Sequence, residues 1–344
     1  MTKIRNSRFG RELTSLLFLV LLFAIVGLFN PQFISAKNIS ASFNTSVIYT
    51  LVAIGMAFTI FIGEIDVSVG STLGFVATVV GSMLRDGQNW AFAFIVGIVI
   101  GAAIGLFNGW GVSIMKVPSL IFTLGTNGIL RGLMYIYNNG AWVENLPKEF
   151  KDFSSATLFG DITIYYTCVI VLMIITHFLL EGTEKGKYFK AVGDNADAAT
   201  LVGIPVKKTM VSSYVICGVL SAIAGILFCS RIGFVTPSSG AGYEMKAVAA
   251  CVLGGISLAG GTGTVIGASI GAVIMASISY LLVFMGFSSN FDNAITGIIL
   301  IAIVVSDSIL HKRLLENNRR LRLSARTSNH NARSNTVEGG NDEK

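Results

Sequence analysis

Long apolar runs alternate with short polar segments along almost the whole of this 344-residue chain. Ten of the runs approach the ~20 residues that an α-helix needs to cross a ~30 Å hydrocarbon core. Backbone groups in hydrocarbon must be hydrogen-bonded within their own segment, and the alternating ~10-residue strands of a membrane β-barrel do not occur. We therefore predict ten helical windows: Leu13–Phe29, Phe43–Gly63, Val67–Leu84, Ala91–Met115, Pro118–Tyr137, Thr163–Leu180, Thr209–Cys229, Ala247–Leu258, Gly263–Met285 and Ala294–Ser306.

Two of these windows allow more than one interpretation. The first follows a basic arm, as a secretion signal does, but its 17-residue run is long and no small-residue cleavage site follows it. We interpret it as a retained span, with a cleaved signal as the alternative. The eighth window is short and glycine-rich, which indicates a broken or re-entrant helix. The predicted fold class is an all-α polytopic membrane protein of about ten transmembrane helices.

Composition and charge support this class. The chain is 53% hydrophobic and 13% charged, whereas soluble domains carry about 25% charged residues. With ten spans and the N-terminus inside, 18 of the 25 Lys and Arg residues face the cytoplasm, as the positive-inside rule requires. The net charge of +6 then reflects membrane orientation and not nucleic-acid binding. The exterior segments carry Lys37, Arg85, Lys148, Lys151, Arg231 and Lys246.

This topology predicts two parts. Residues 1–310 form the transmembrane domain, with both termini and a loop at 181–208 in the cytoplasm. Residues 311–344 form a basic tail that offers little to bury and is expected to be disordered. We interpret the tail as a solvated topology anchor, with contact to anionic lipid as the alternative.

No residue pattern indicates a metal site, a cofactor or a catalytic centre. The four cysteines lie in apolar runs without a CxxC spacing, and the three histidines are dispersed. The stretch "GGTGTVIG" departs from GxGxxG and follows no strand, and GxxxxGK[ST] is absent from the sequence. The chain therefore has no P-loop with which to bind ATP.

Glycines recur every four residues in two of the windows. This spacing places them on one helix face, where they allow neighbouring backbones to approach closely in a membrane. The predicted packing residues are Gly97, Gly101, Gly105 and Gly109 in the fourth window and Gly263, Gly267 and Gly271 in the ninth.

The main charges inside the apolar region are in "GEIDVSVGS". Glu64 and Asp66 lie between the second and third windows, flanked by glycines, and such groups often line a cavity beside a broken helix. The alternative is an ordinary turn in which Asp66 caps the third helix. Arg131 lies within the fifth window, where it pairs with a carboxylate, lines a path or extends outward to the interface.

The polar segment 181–208 interrupts this apolar pattern and carries five lysines. Asp194 or Asn195 can serve as a helix N-cap, and Gly203 followed by Pro205 ends the helix. The result is a helix of about two turns, marginal in isolation. Its definite caps favour a segment stabilised by docking against a partner, with a solvated connector as the alternative.

Four motifs resemble the ribose-type permeases of ATP-binding-cassette importers. They are "GEIDVSVGS", "VPSLIFTLGTNGILRG", "GKYFKAVGDNADAATLVGI" and "GAGYEMKAVAACVLGGISLAGGTGTVIGA". Within that family, "NNGAWVENLPKEFKDFS" and the arginine-rich "LLENNRRLRL" are most similar to the permeases of autoinducer 2 import systems. Glu64 is a departure, because relatives usually carry an uncharged residue at that position.

The resemblance implies the fold of branched-chain amino acid and sugar permeases in the bacterial inner membrane. It also implies three partners: a periplasmic substrate-binding protein, a second homologous permease chain and a cytoplasmic ATPase that alone hydrolyses ATP. The implied substrate is autoinducer 2, a small furanosyl polyol, with ribose or another pentose as the alternative. An alternative of a different class is an ion-coupled secondary carrier that uses Glu64 and Asp66.

The resemblance also assigns roles to particular residues. A path for a neutral polyol needs hydroxyl and amide side chains more than fixed charge. The residues expected to engage the ATPase are Asp194, Asn195, Ala198, Ala199, Gly203, Ile204 and Pro205. The candidate translocation path comprises Glu64, Asp66, Ser68, Thr123, Thr126, Asn127 and Arg131.

Overall fold

The computed structural model describes residues 10–288, 291–302 and 304–305, and most of these residues are helical. The α-helices are α1 (Gly10–Phe29), α2 (Ala36–Phe61), α3 (Val69–Arg85), α4 (Trp90–Ser113), α5 (Ser119–Tyr137), α6 (Lys148–Ser155), α7 (Ile164–Gly182), α8 (Glu184–Asp194), α9 (Ala196–Leu201), α10 (Val206–Ile232), α11 (Tyr243–Leu253), α12 (Val265–Phe284) and α13 (Phe291–Ala302). A short 3₁₀ helix spans Pro31–Ile34, and strands β1 (Thr157–Phe159) and β2 (Ile162–Thr163) pair antiparallel. The predicted all-α membrane fold is confirmed.

Each of the ten apolar windows contains a helix. Six of the helices, α1, α2, α4, α7, α10 and α12, are long and apolar enough to cross a membrane, and α3 and α13 are shorter apolar helices. Helix α11 has 11 residues, about 16 Å, which is too short for the ~30 Å core. The eighth window is therefore short, as expected, although its helix begins before Ala247. The total of ten spans and the side on which the termini lie remain predictions.

Described residues up to Leu300 form one unit, and the few described residues from Ile301 onward belong to a second. The predicted domain boundary at residue 310, the basic arm at residues 1–9 and the tail at 311–344 lie outside the described residues.

Helix α2 forms the centre of the first unit. From Val47 to Phe61 every one of its residues is buried, as expected for a helix that is apolar on all sides. It packs against α10, α11, α12 and α7. Helix α4, in contrast, buries one face and exposes large apolar side chains such as Ile95, Val99 and Leu106 on the other. In a membrane protein such a face is suited to lipid or to another chain.

The buried face of α4 carries the glycines that were predicted to pack. A Cβ added at Gly101 or Gly105 would lie well under 3.0 Å from backbone atoms of α10, and Gly109 meets Val211 of the same helix. Gly97 faces Val80 of α3. These contacts bring α4 and α10 together backbone to backbone, as small-residue faces allow in membranes.

The second predicted glycine face is shorter than expected. Gly267 of α12 abuts the backbone of Gly254, the residue after α11, and Gly271 abuts the backbone of Ala250 within α11. Gly263, however, precedes the helix and has φ +124°, which no helical residue adopts. The assignment of Gly263 to the ninth helix is therefore wrong, because Thr264 caps α12 by accepting from the Gly267 N–H at 3.0 Å.

Candidate functional site

The loop between α2 and α3 holds a buried carboxylate. Helix α2 ends at Phe61, and the N–H groups of Gly63 and Glu64 then donate to the carbonyls of Ile60 and Thr59; this pattern is a Schellman motif. The chain then turns so that Asp66, 2% exposed, accepts from the N–H of Ser68 at 2.9 Å and from its hydroxyl at 2.6 Å.

Asp66 does not cap α3 in the predicted way. The N-cap residue of α3 is Ser68, which forms no side-chain cap bond, and Asp66 accepts from the Ser68 N–H ahead of the first helical residue. The cavity-lining role of Asp66 stays a prediction. Burial raises the pKa of Asp66, and the hydrogen bonds from Ser68 and Asn108 lower it. Glu64 is half-buried and is not part of this arrangement.

Asn108 of α4 connects this loop to α5. Its side chain is 0% exposed, and its amide donates to the Ser68 hydroxyl at 2.8 Å and lies 3.4 Å from each Asp66 oxygen. Its carbonyl oxygen accepts from the Thr126 hydroxyl at 2.7 Å. Nearby, the Thr123 hydroxyl accepts from the Val67 N–H at 3.1 Å. Four of the predicted path residues thus meet where α3, α4 and α5 converge.

Asn108 was absent from the sequence-based candidates, although a signal for it exists. It is an amide within the otherwise apolar window Ala91–Met115, and polar groups at membrane depth are costly and usually functional. The name polar junction is used below for Asp66, Ser68, Asn108, Thr123 and Thr126.

Two predicted path residues lie further along α5, outside the polar junction. Arg131 donates through Nη1 to the main-chain carbonyl of Ser239 at 2.6 Å. It neither forms an ion pair among the described residues nor extends freely outward. Asn127 is half-buried, and its Oδ1 atom is buried without a hydrogen-bond partner among the described residues.

The cytoplasmic-loop candidate 181–208 contains two helices and not one. Helix α8 (Glu184–Asp194) was not predicted, although Thr183 caps it by accepting from the Gly186 N–H at 2.9 Å. Helix α9 is the predicted short helix. Its N-cap is Asn195, whose side chain accepts from the Ala198 N–H at 2.8 Å, whereas Asp194 is the last residue of α8.

The end of α9 matches the predicted cap in detail. Gly203 has φ +84°, its N–H donates to Thr200, and the Ile204 N–H donates to the carbonyl of Ala199. These two bonds form a second Schellman motif, and Pro205 is the N-cap residue of α10.

The tip of α9 is apolar and open. Ala199 is buried against the protein, while Ala198 is exposed and Leu201 and Val202 are 89% and 77% exposed. No atom lies within 4 Å of a Cβ added at Gly203. A rigid, capped helix that exposes its largest apolar side chains is suited to docking into a cleft of a partner.

The base of this segment contacts the loop that leads to Asp66. A Cβ added at Gly193 of α8 would collide with the carbonyl of Phe61 at the end of α2. The same carbonyl accepts from the Gly261 N–H at 3.0 Å, and Gly261 in turn lies against Asp194. The ends of α2 and α8 and the loop before α12 therefore meet through backbone contacts.

A second buried polar cluster was missed by sequence reasoning. Lys246 was counted among the exterior charges, but it lies inside α11, is buried and pairs with Asp292 of α13. Its ammonium also donates to the Tyr49 hydroxyl at 3.2 Å, and Ser279 donates to Asp292 at 2.8 Å. The signal was weak because Lys246 immediately precedes the eighth apolar window, where a flanking lysine is ordinary.

Comparisons with known proteins agree with this architecture. The family model for the branched-chain amino acid transport system / permease component matches residues 38–304. The autoinducer 2 import system permease protein LsrC of Enterobacter sp. (strain 638) is 40% identical over 315 residues, which is 92% of each chain.

Two further relatives carry the same name. LsrC of Salmonella typhi is 39% identical over 312 residues, covering 90% of this chain and 89% of the relative. LsrC of Escherichia coli O9:H4 (strain HS) is 38% identical over 311 residues, covering 90% and 91%. No solved structure matches the chain. The chain belongs to the family of branched-chain amino acid transport system permease components.

Proposed function

We propose that this chain is a permease subunit of an ATP-binding-cassette importer that carries autoinducer 2 across the bacterial inner membrane. The observation that carries the proposal is the 40% identity to an autoinducer 2 import permease over 92% of both chains. The chain contributes the membrane path and no ATP chemistry. A separate cytoplasmic ATPase supplies the energy, a second homologous permease completes the path, and a periplasmic binding protein delivers the substrate.

Helix α9 is the element that we assign to ATPase docking. The caps at Asn195 and Gly203 stabilise its six residues as a helix, so the ATPase binds an element that is already folded. The exposed Leu201 and Val202 supply the apolar surface for that contact.

Movement of α9 reaches the substrate path through α8. The backbone contact of Gly193 with Phe61 connects α8 to the end of α2, and Asp66 follows in the next loop. A shift of α8 therefore changes the loop that anchors the polar junction. Opening and closing this junction between α3, α4 and α5 is the step that we assign to ATP-driven switching.

The chemistry of the polar junction is suited to a neutral polyol. Hydroxyl and amide groups both donate and accept, so they can exchange hydrogen bonds with one another for bonds to sugar hydroxyls. The Asp66 carboxyl group already accepts from the Ser68 hydroxyl and lies 3.4 Å from the Asn108 amide, and it therefore does not require a cationic substrate.

The test is uptake by the complete importer in proteoliposomes. The permease, its second chain, the ATPase and the loaded binding protein are reconstituted, and entry of labelled autoinducer 2 and of ribose is measured with and without ATP. We expect ATP-dependent entry of autoinducer 2 and little entry of ribose. Preferred entry of ribose would support the pentose alternative. Entry driven by an ion gradient without the ATPase, and lost in Asp66→Asn, would establish a secondary carrier and overturn the proposal.

A further inference from the structure

Two buried acceptor atoms, near the middle of α5 and the start of α11, have no hydrogen-bond partner in the part of the chain that the structure describes. They are Oδ1 of Asn127 and Oε2 of Glu244. Native proteins leave few buried polar atoms unpaired, and each such atom calls for an explanation. Glu244 has its other oxygen engaged, because Oε1 accepts from the Gly242 N–H at 3.2 Å.

Both acceptors lie at the same level of helix α3. A Cβ added at Gly70 would collide with Oε2 of Glu244, which places that oxygen directly against α3. Helices α3 and α5 run in parallel, since Thr123 bonds to Val67 and Met134 lies beside Gly74. Asn127, one turn after Thr123 on the same face of α5, is therefore level with Gly70.

Arg131 supplies hydrogen-bond donors close to Asn127. It follows Asn127 by one helical turn, so the two side chains share a face. Its Nη1 is held by the Ser239 carbonyl at 2.6 Å, in the turn that also packs on α3 through Gly240. The Ser239 carbonyl that holds Arg131 lies against Gly74, one turn of α3 after the Gly70 that Glu244 contacts. Arg131 and Glu244 do not form one of the ion pairs of the described residues.

We propose that Asn127, Arg131 and Glu244 form a substrate-binding site for adjacent hydroxyl groups of a small neutral polyol inside the permease. The two unpaired oxygens accept from two substrate hydroxyls, and the guanidinium donates to the hydroxyl oxygens. The opposite charges of Arg131 and Glu244 offset each other, so the site does not demand a charged substrate.

The same chemistry gives the site its selectivity. An analogue that lacks one hydroxyl would leave a buried acceptor unpaired, and sites built on hydrogen bonds reject such analogues strongly. The inference rests on the proposed function, and it adds Glu244 to the path and a specificity role to Asn127 and Arg131.

The experiment measures uptake of autoinducer 2 and of an analogue lacking one vicinal hydroxyl by the complete importer. The variants are Asn127→Leu and Glu244→Gln. The matched control is Ser82→Ala, which removes a hydroxyl of α3 that is also buried and without a partner among the described residues; it lies three turns beyond Gly70. We expect each site variant to lower autoinducer 2 uptake per ATP hydrolysed about 10-fold, the loss expected for one hydrogen bond.

The preference for autoinducer 2 over the analogue distinguishes a lost substrate contact from damage to the fold. The wild type and Ser82→Ala should prefer autoinducer 2 to the analogue, and the site variants should transport both at similar rates. Damage to the fold would slow both substrates equally, with the preference retained, and would overturn the inference. Should Asn127→Leu fail to assemble with the ATPase, Asn127→Ala adds no bulk and is measured in the same way.

Failure of this site and failure of the proposed function give different results. If both variants take up autoinducer 2 at the wild-type rate and with unchanged selectivity, the site is refuted and the proposed function is not. If the wild type takes up ribose instead, the same comparison is made with ribose and 2-deoxyribose. Wild-type importer that moves neither polyol refutes both proposals.

Discussion

The contact between α4 and α10 allows a sharp test of the packing. A Cβ at Gly105 would lie under 3.0 Å from three atoms, all of them backbone atoms of Tyr214 and Val215. Backbone cannot rotate away as a side chain can, so Gly105→Ala must separate the two helices. Gly128 of α5 is the matched control, because no atom lies within 4 Å of its added Cβ.

The expected magnitude follows from comparing the two variants. Replacing a helical glycine by alanine favours the helix by about 1 kcal/mol at either position. This contribution cancels in the comparison and leaves the cost of overpacking, about 1–3 kcal/mol. Gly105→Ala should therefore lower the free energy of unfolding relative to Gly128→Ala by that amount.

Thermal unfolding of the detergent-purified chain measures this difference. Each kcal/mol corresponds to about 2–4 °C in Tm for chains of a few hundred residues. We expect Gly128→Ala to unfold at or above the wild-type Tm and Gly105→Ala to unfold several degrees lower. Equal Tm values for the two variants would refute the close approach of α4 to α10.

Three further substitutions test the coupling helix, the polar junction and the buried ion pair. Gly203→Val places a β-branched residue at φ +84° and should reduce ATP-dependent uptake several-fold with unchanged membrane insertion. The control Gly87→Val, at φ +79° in an open turn, should not reduce uptake. Equal uptake by the two variants would contradict the role of α9. Asn108→Leu leaves buried partners unpaired and should cost about 1–3 kcal/mol of stability in the same Tm assay; an unchanged Tm would show that these bonds contribute little. Lys246→Met leaves the partly buried carboxylate of Asp292 without its cation and should cost about 1–3 kcal/mol. The double variant with Asp292→Asn should recover part of this loss. Additive losses would show that the two side chains do not interact.

Most of the local structure of this chain could be predicted from its sequence, although helix α8 and the start of α12 were not. Helices form where apolar runs are long, because their backbone bonds close within four residues. The caps of α9 were recognised for the same reason: Asn195 and Gly203 act on N–H and carbonyl groups a few positions away. The fold class and the short helix at 196–201 therefore needed no tertiary information.

Pairings between distant segments were decided only by the tertiary structure. Asn108 bonds to Ser68 and Thr126 because α4 approaches both α3 and α5, and Lys246 meets Asp292 across a separation of 46 residues. No periodicity along the chain encodes these meetings. They depend on how the helices pack. At Gly105 and Gly193 that packing is set by close backbone contacts, and the sequence shows only that a glycine is present at each position.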